Sequence, residues 1–529
     1  MSAAFYFVDF AKGLNIEWVN MDSYLRIGKA KDIEKIGDRI IYRIFEILPG
    51  LLSWGALVLV VILSKFRPLW VSIFIVIFVI YWLFKTAYFS LHLWGGYKKM
   101  AGFEKKDWLS KVKQIEGWKD ICHLVIIPMY RESYQVVRDG FKSLVETNYP
   151  NEKMIVVLAC EEKTRGEVEE TARKIEKEFG SRFFKFMVTW HPAGLEGEIA
   201  GKGSNETWSA RKAKEEIIDK LKIPYEKIIF SSFDADTCVY PEYFSCVSYH
   251  YLTTEKPTRT SFQPVPLFTN NMWDAPVISK IFSFSSTFWH TMNQERPDKL
   301  VTFSSHSMSF KALVEVGFKQ TNVVSDDSRI FWQCFFKYDG DYKAEPLYYP
   351  VSMDSNVSSS IFKTLLNIYK QQKRWAYGAG DIPYFLFGCL KNNKIPFKKK
   401  ISLGFEIIEG HFSWATASIM IFLLGWLPLV LGGIDFSQTI VSYSLPKVIS
   451  RVMTVSMIGL VSSVYLSFML LPPRPPDYGK WKYLVFAFGW LAFPFMMIFF
   501  GSLPALDAQT RLMTGRYMGF WATEKFRKA

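Results

Sequence analysis

Lys227-Ile-Ile-Phe-Ser-Ser-Phe-Asp-Ala-Asp236 sets two carboxylates directly behind a run of apolar and small residues. Such a continuous run reads as a strand covered on both faces, as in parallel sheets. Two similar runs precede it, His123-Leu-Val-Ile-Ile-Pro128 and Met154-Ile-Val-Val-Leu-Ala159. Tyr134–Glu146 has helical spacing and Thr164–Phe179 is a charged helical stretch. Strands alternating with helices predict an α/β domain with a parallel sheet. Ligands of such sheets bind beyond the carboxyl ends of the strands. Glu161, Glu162, Asp234 and Asp236 stand there, which makes them site candidates.

Further out, the chain turns apolar. Of 529 residues, 50% are hydrophobic and 17% aromatic. Leu48–Ser64, Pro68–Phe84, Phe412–Gly433, Val452–Leu471 and Tyr483–Leu503 approach or exceed the ~17–20 residues that cross a hydrocarbon core. No comparable run lies between Lys98 and Lys400, which leaves room there for a water-soluble domain. The first apolar stretch begins past residue 40 and is followed by no small-residue cleavage site, so a cleaved signal peptide is not expected. The net charge is +14, but its excess gathers at Lys98, Lys99, Lys105 and Lys106 and again at Lys391, Lys394 and Lys398–Lys400. Basic residues beside spans mark the cytoplasmic side and meet anionic lipid heads. The charge therefore speaks for a lipid bilayer and against nucleic acid. The 6 cysteines form no CxxC pair, so neither a zinc site nor a disulfide framework is expected.

Three clusters carry chemistry. Asp234-Ala-Asp236 can hold Mg²⁺ or Mn²⁺ through carboxylate oxygens while phosphate oxygens complete the shell. Ser325-Asp326-Asp327 offers a carboxylate that can take a proton from an attacking hydroxyl. One base with no enzyme nucleophile gives a single displacement with inversion. Gln371-x-x-Arg374-Trp375 sets a carboxamide, a cation and an indole on one side of a helix. The arginine can pair with a diphosphate and the indole can stack on a sugar ring. Each cluster alone has a plainer reading: a loop, a helix cap, or an interfacial anchor. Phe362, Leu365, Leu366, Ile368 and Tyr369 alternate with Lys363, Lys370, Lys373 and Arg374, the pattern of a helix lying along a membrane surface.

In this order the clusters resemble the membrane-integrated family-2 glycosyltransferases that include cellulose, chitin and hyaluronan synthases. The resemblance covers Cys122–Ala379 and extends to Phe520-Trp-Ala-Thr523-Glu-Lys525, which is similar to their gating loop, preceded by Leu506–Tyr517 as an interfacial helix. It implies an inverting hexosyltransferase: an α/β GT-A-like cytosolic domain inserted between transmembrane α-helices. The donor would be a nucleotide-sugar, a UDP-sugar in that family. By this resemblance Pro128, Tyr130 and Glu132 belong to the first nucleotide-contacting turn. Glu161 takes the place of an aspartate that recognises uracil, and Lys202 that of a lysine near the nucleotide. Asp234 would contact nucleotide and metal, Asp236 the metal, and Asp327 would be the catalytic base. Arg374 would face the diphosphate, and Thr523 and Lys525 would reach over the nucleotide. Trp375, Gln371, Asp326 and Ser305 would meet the acceptor. Glutamate at 161 and Ser304-Ser305-His306 depart from the family pattern where donor base and acceptor are chosen. His306 is read as a packed histidine.

The expected organisation is a cytosolic amphipathic lead-in at 1–43, a transmembrane hairpin at 44–95 and the GT-A domain at 115–345. Interfacial helices at 355–400, a transmembrane region at 404–504, and an interfacial helix with gating-loop-like tail at 505–529 follow. Both flanks of the last apolar segment are basic, so Pro494 is expected to break it into a re-entrant hairpin. The chain would be a multi-pass protein of the cell membrane. The acceptor is expected to be a glycan, processive polysaccharide synthesis included. The alternative is single transfer to polyprenyl phosphate or another lipid acceptor.

Overall fold

The computed structural model of the chain describes residues 23–476, 478–523 and 527. Its centre is an eight-stranded sheet in the order β3-β2-β1-β4-β7-β6-β8-β5. The strands are β1 Cys122–Met129, β2 Met154–Glu161, β3 Lys185–His191, β4 Ile228–Ser232, β5 Cys238–Val239, β6 Thr260–Leu267, β7 Ser307–Ser309 and β8 Lys343–Ser352. β3, β2, β1 and β4 are all parallel; the apolar runs predict β1, β2 and β4, and β3 adds a strand they do not announce. Successive side chains of these strands enter opposite cores. Leu124, Ile126, Ile155 and Val157 pack into one, and Val125, Ile127, Val156 and Leu158 into the other. That alternation within a continuous apolar run is what covers both sheet faces.

The other half of the sheet is mixed. β7 runs antiparallel to β4 and β6, while β8 is parallel to β6. β8, between helix Asp326–Lys337 and helix Ile361–Ala376, is a strand that the apolar runs of the sequence do not announce. Its sequence carries Pro346 and Pro350, and its partner β6 carries Pro264 and Pro266. Proline cannot donate to a ladder. The pairing accordingly slips, from Gln263 opposite Pro346 to Val265 opposite Pro350, and Tyr348 inside the slip takes a positive φ of 47°.

Around this sheet, helices Ile36–Phe66, Pro68–Glu104, Ile440–Met469 and the helical stretch Trp481–Thr514 are each long and apolar enough to cross a membrane. The first begins inside the region read as a lead-in; residues 1–22 lie outside the described residues. The first two helices meet at Arg67, where Pro68 opens the second, a position at which its missing N–H costs nothing. Phe397–Phe422 and Leu424–Leu431 pass the same test only as a pair bent by 48°. The sharp bend thus falls two segments earlier than Pro494, with Ile440–Met469 between them. Trp481–Thr514 passes as one span, its residues Met497–Ser502 wound as a π-helix.

Polar ties fix the sheet domain to these helices. Arg329, 1% exposed, donates to Asp381 at 2.7 Å and to the carbonyl oxygens of Ile27 and Gly380. Lys391 meets Asp38 at 2.8 Å. Ser53 Oγ donates to Gln509 Oε1 at 2.7 Å, and Gln509 Nε2 donates to the carbonyl of His411.

Candidate active site

The carboxyl ends of β1, β2, β3 and β4 open on one cavity of about 2610 Å³. Pro128, Tyr130, Glu132, Glu161, Lys202, Asp234, Asp236, Asp326, Asp327, Gln371, Arg374, Trp375 and Thr523 all line it. Residues spread over almost 400 positions of chain are brought to one place by the sheet.

At its centre stands an alternation of carboxylates and lysines. Lys202 Nζ lies 2.7 Å from Asp234 Oδ1 and 3.1 Å from Asp327 Oδ2. Lys319 Nζ lies 2.8 Å from Asp327 Oδ1, 3.1 Å from Asp326 Oδ2 and 2.6 Å from Glu206 Oε2. Ser232 Oγ, at the end of β4, donates to Glu206. Glu206, Asp326 and Asp327 are close enough together to hold a cation. Lys319 occupies that role with its own ammonium, within hydrogen-bond reach of all three. Burial favours the neutral acid at Asp327, but Lys202 and Lys319 outweigh it and hold its carboxyl far below the ordinary range. Burial pushes Glu206 up to about 7 against the pull of the same lysines. Asp327 is therefore held as a carboxylate, the form a base requires.

Local structure aims this cluster. Asp326 and Asp327 form the first turn of helix Asp326–Lys337, where the helix dipole favours negative charge. Gly203 lets helix Lys202–Ala213 approach: a Cβ there would stand 2.7 Å from the Cβ of Asp326. Asp326, expected at the acceptor, is 4% exposed and braced between Gly203 and Lys319.

The Asp-x-Asp pair follows β4. Asp234 Oδ2 accepts from Ser304 Oγ at 2.7 Å. Asp236, wholly buried, accepts from the backbone N–H of Asp354 at 2.8 Å. Its oxygen-only donor set with Asp234, open to the cavity, fits a hard divalent cation. Arg527 pairs with the Asp354 carboxylate at 2.6 Å and also with Asp139, which sets its guanidinium beside this pair.

Glu132 turns back on its own loop and accepts from the N–H groups of Tyr130 and Arg131 at 2.7 and 3.1 Å, fixing that turn. Ser305 corrects an expectation. It is fully buried, with φ of 67°, and faces Thr237; its neighbour Ser304 lines the cavity instead. His306 is buried and its pKa falls to about 3, first by burial and then by Lys319. It is a neutral packed ring whose Nδ1–H donates to the carbonyl oxygen of Phe303 at 2.8 Å.

Helix Ile361–Ala376 carries Gln371, Arg374 and Trp375 along the cavity. Arg374 stacks over Phe520 at 5.0 Å, and Phe520 also packs against Gly201, where a Cβ would meet its ring at 2.5 Å. Trp375 neighbours Phe268 at 6.5 Å. Phe520, Trp521, Ala522 and Thr523 close over the same end of the cavity. Lys525 lies outside the described residues. On the far side the cavity continues between the long apolar helices. There it is lined by Val79, Trp82, Ile421, Met453, Ser456 and Leu460, with Lys85 paired to Glu409 in its wall.

Sequence reasoning missed Lys319, Glu206 and Arg329. Glu206 carried a signal, four residues after Lys202 on one helix face. Lys319 carried none, because its partners come from three separate segments.

No protein-family model matches the chain, and no curated protein matches it. Among solved structures the chain is similar to the mannosyltransferase PcManGT from Pyrobaculum calidifontis, in complex with GDP-Man and Mn²⁺. The identity is 14% over 74% of this chain and 99% of that one, with a TM-score of 0.37. It is also similar to S. aureus TarS 1–349, at 11% identity over 66% of this chain and 92% of that one, with a TM-score of 0.33. The same portion of TarS in complex with UDP-GlcNAc gives 11%, 67%, 93% and 0.34. These neighbours are glycosyltransferases, at a distance too great to carry their activities over to this chain.

Proposed function

We propose that the protein is an inverting membrane glycosyltransferase of the family-2, GT-A-like kind. It would move a sugar from a nucleotide-sugar to a glycan acceptor at the cytosolic face of the cell membrane. The observation that carries this reading is the meeting of Asp234, Lys202 and Asp327 over one cavity that runs on among the apolar helices. Asp234 and Asp236 would hold Mg²⁺ or Mn²⁺, which when bound offsets the charge of the departing diphosphate. Lys202 and Arg374 would face that diphosphate. A phosphate drawing on Lys202 would release Asp327 from one of its two lysines and make it a stronger base. Asp327 would then take the proton of the acceptor hydroxyl while its oxygen bonds to the anomeric carbon and the bond to the diphosphate breaks. Trp375 and Gln371 would position the acceptor. Thr523 and the tail from Phe520 would cover the donor.

The corridor between the helices suits an acceptor that extends away from the reacting end. Its apolar walls at Val79, Ile421, Met453 and Leu460 also favour a second reading, a lipid-linked acceptor whose tail lies there. The products separate the two: an organic-soluble monoglycosylated lipid, or a growing glycan. The reading itself is tested with protein purified into lipid vesicles, a panel of UDP- and GDP-sugars and Mn²⁺, by measuring nucleotide release. Release from at least one donor is expected, and release from none contradicts the proposal.

A further inference from the structure

Glu161 ends β2 and His191 ends β3, directly opposite each other in the sheet register. His191 Nδ1 lies 3.0 Å from Glu161 Oε2, and its Nε2 lies 3.0 Å from Glu198 Oε2. Burial works against charge on this ring, yet the two carboxylates prevail and raise its pKa. As an imidazolium it donates through both nitrogens and leaves the three groups with a net negative charge. Each glutamate keeps its second oxygen, and a further lone pair on the first, for a ligand. Asn205 stands beside them, 2% exposed. Its Nδ2 donates to the carbonyl of Ala159 at 2.8 Å, which orients the amide. Its Oδ1 is then buried with no hydrogen-bond partner among the described residues. All four side chains line the cavity next to the turn at Pro128–Glu132.

This end of the cavity therefore presents acceptors. A single N–H satisfies one carboxylate oxygen, as uracil would at the family's aspartate, but Glu161, Glu198 and Asn205 together offer several acceptors, which a base edge with donors side by side fills best. Uracil offers one N–H between two carbonyl oxygens, which would face the negative groups. Cytosine and adenine set their amino group beside an accepting ring nitrogen. Guanine alone among the common bases sets N1–H next to its 2-amino group, two parallel donors that match a carboxylate fork.

We propose that this end of the cavity holds guanine, with Glu161 accepting from N1–H and the 2-amino group and with Glu198 and Asn205 as flanking acceptors, so that the donor is a GDP-sugar. The assignment rests on the nucleotide-sugar reading and departs from the UDP-sugar that the family resemblance implies.

The test is calorimetric binding of GDP, IDP and UDP to the full-length protein in lipid nanodiscs with Mn²⁺. GDP is expected to bind at least about tenfold more tightly than UDP. IDP, which lacks only the 2-amino group, should bind about tenfold more weakly than GDP, because a site built for that donor is left unpaired without it. Glu161→Gln should bring the GDP-over-UDP preference to within about threefold. Preference for UDP, or equal affinity for GDP and IDP in the unaltered protein, overturns guanine while leaving sugar transfer standing. Binding of none of the three overturns the nucleotide-sugar reading along with it.

Discussion

Lys319 shows how much one side chain holds in this site. It is 2% exposed and its ammonium touches Glu206, Asp326 and Asp327. Removing one partner from such a buried set leaves charge uncompensated, which costs about 3–5 kcal/mol. Lys319→Met should lower the thermal unfolding midpoint markedly, and a midpoint unchanged within error would contradict the account. His191 gives a pH-dependent expectation. Its pKa is raised in the folded protein by Glu161 and Glu198 against burial. Its stabilising contribution is therefore complete below about 6.5, the ordinary histidine value, and is lost as pH rises through the folded-state value above it. Unfolding midpoints measured from pH 6 to 9 should fall less steeply in Glu198→Gln than in the unaltered protein. Of these residues the sequence displayed the acids at 234 and 327 because they stand in short motifs behind a strand and before a helix. Lys319 and His191 acquire their meaning only when separate segments fold together.

At the scale of elements, β1, β2 and β4 were legible because a run buried on both faces is continuously apolar. β8 was not: its two prolines argue against a strand, and only β6, itself proline-bearing, accommodates the slip between them. The short β5 and β7 lack the length to show any period. Helix Lys202–Ala213 tests how closely elements must approach. Gly203→Ala would press a methyl group against Asp326 and shift the first turn that carries Asp327. Misplacing a reacting group by about 1 Å can cost about 100-fold, so kcat in Gly203→Ala should fall at least about tenfold while nucleotide affinity changes little. An unchanged kcat would show that Asp327 needs no such support. The amphipathic helix Ile361–Ala376 exposes Ile361 and Phe362 at 63% and 74%. On the proposed reading this exposed apolar edge would meet the bilayer surface.

Across the whole molecule, on the proposed reading, the sheet domain would supply the reacting groups and the long helices the route away from them. The apolar stretches disclosed these helices, but not where the path bends, since a 48° break between Phe422 and Leu424 has no proline at its hinge. Ser456 lines the cavity within helix Ile440–Met469, far from the acids. Ser456→Trp should cut transfer to acceptor at least about tenfold while leaving nucleotide binding intact, the separation expected when an acceptor path is blocked and the donor site is not. Equal transfer would remove the corridor from the account. The central claim, that Asp327 is the base of a sugar transfer, is tested most directly with Asp327→Asn. Labelled sugar incorporation and nucleotide-sugar binding would be measured side by side in lipid vesicles. Incorporation should vanish with binding retained; incorporation at the unaltered rate would show that Asp327 is not the base.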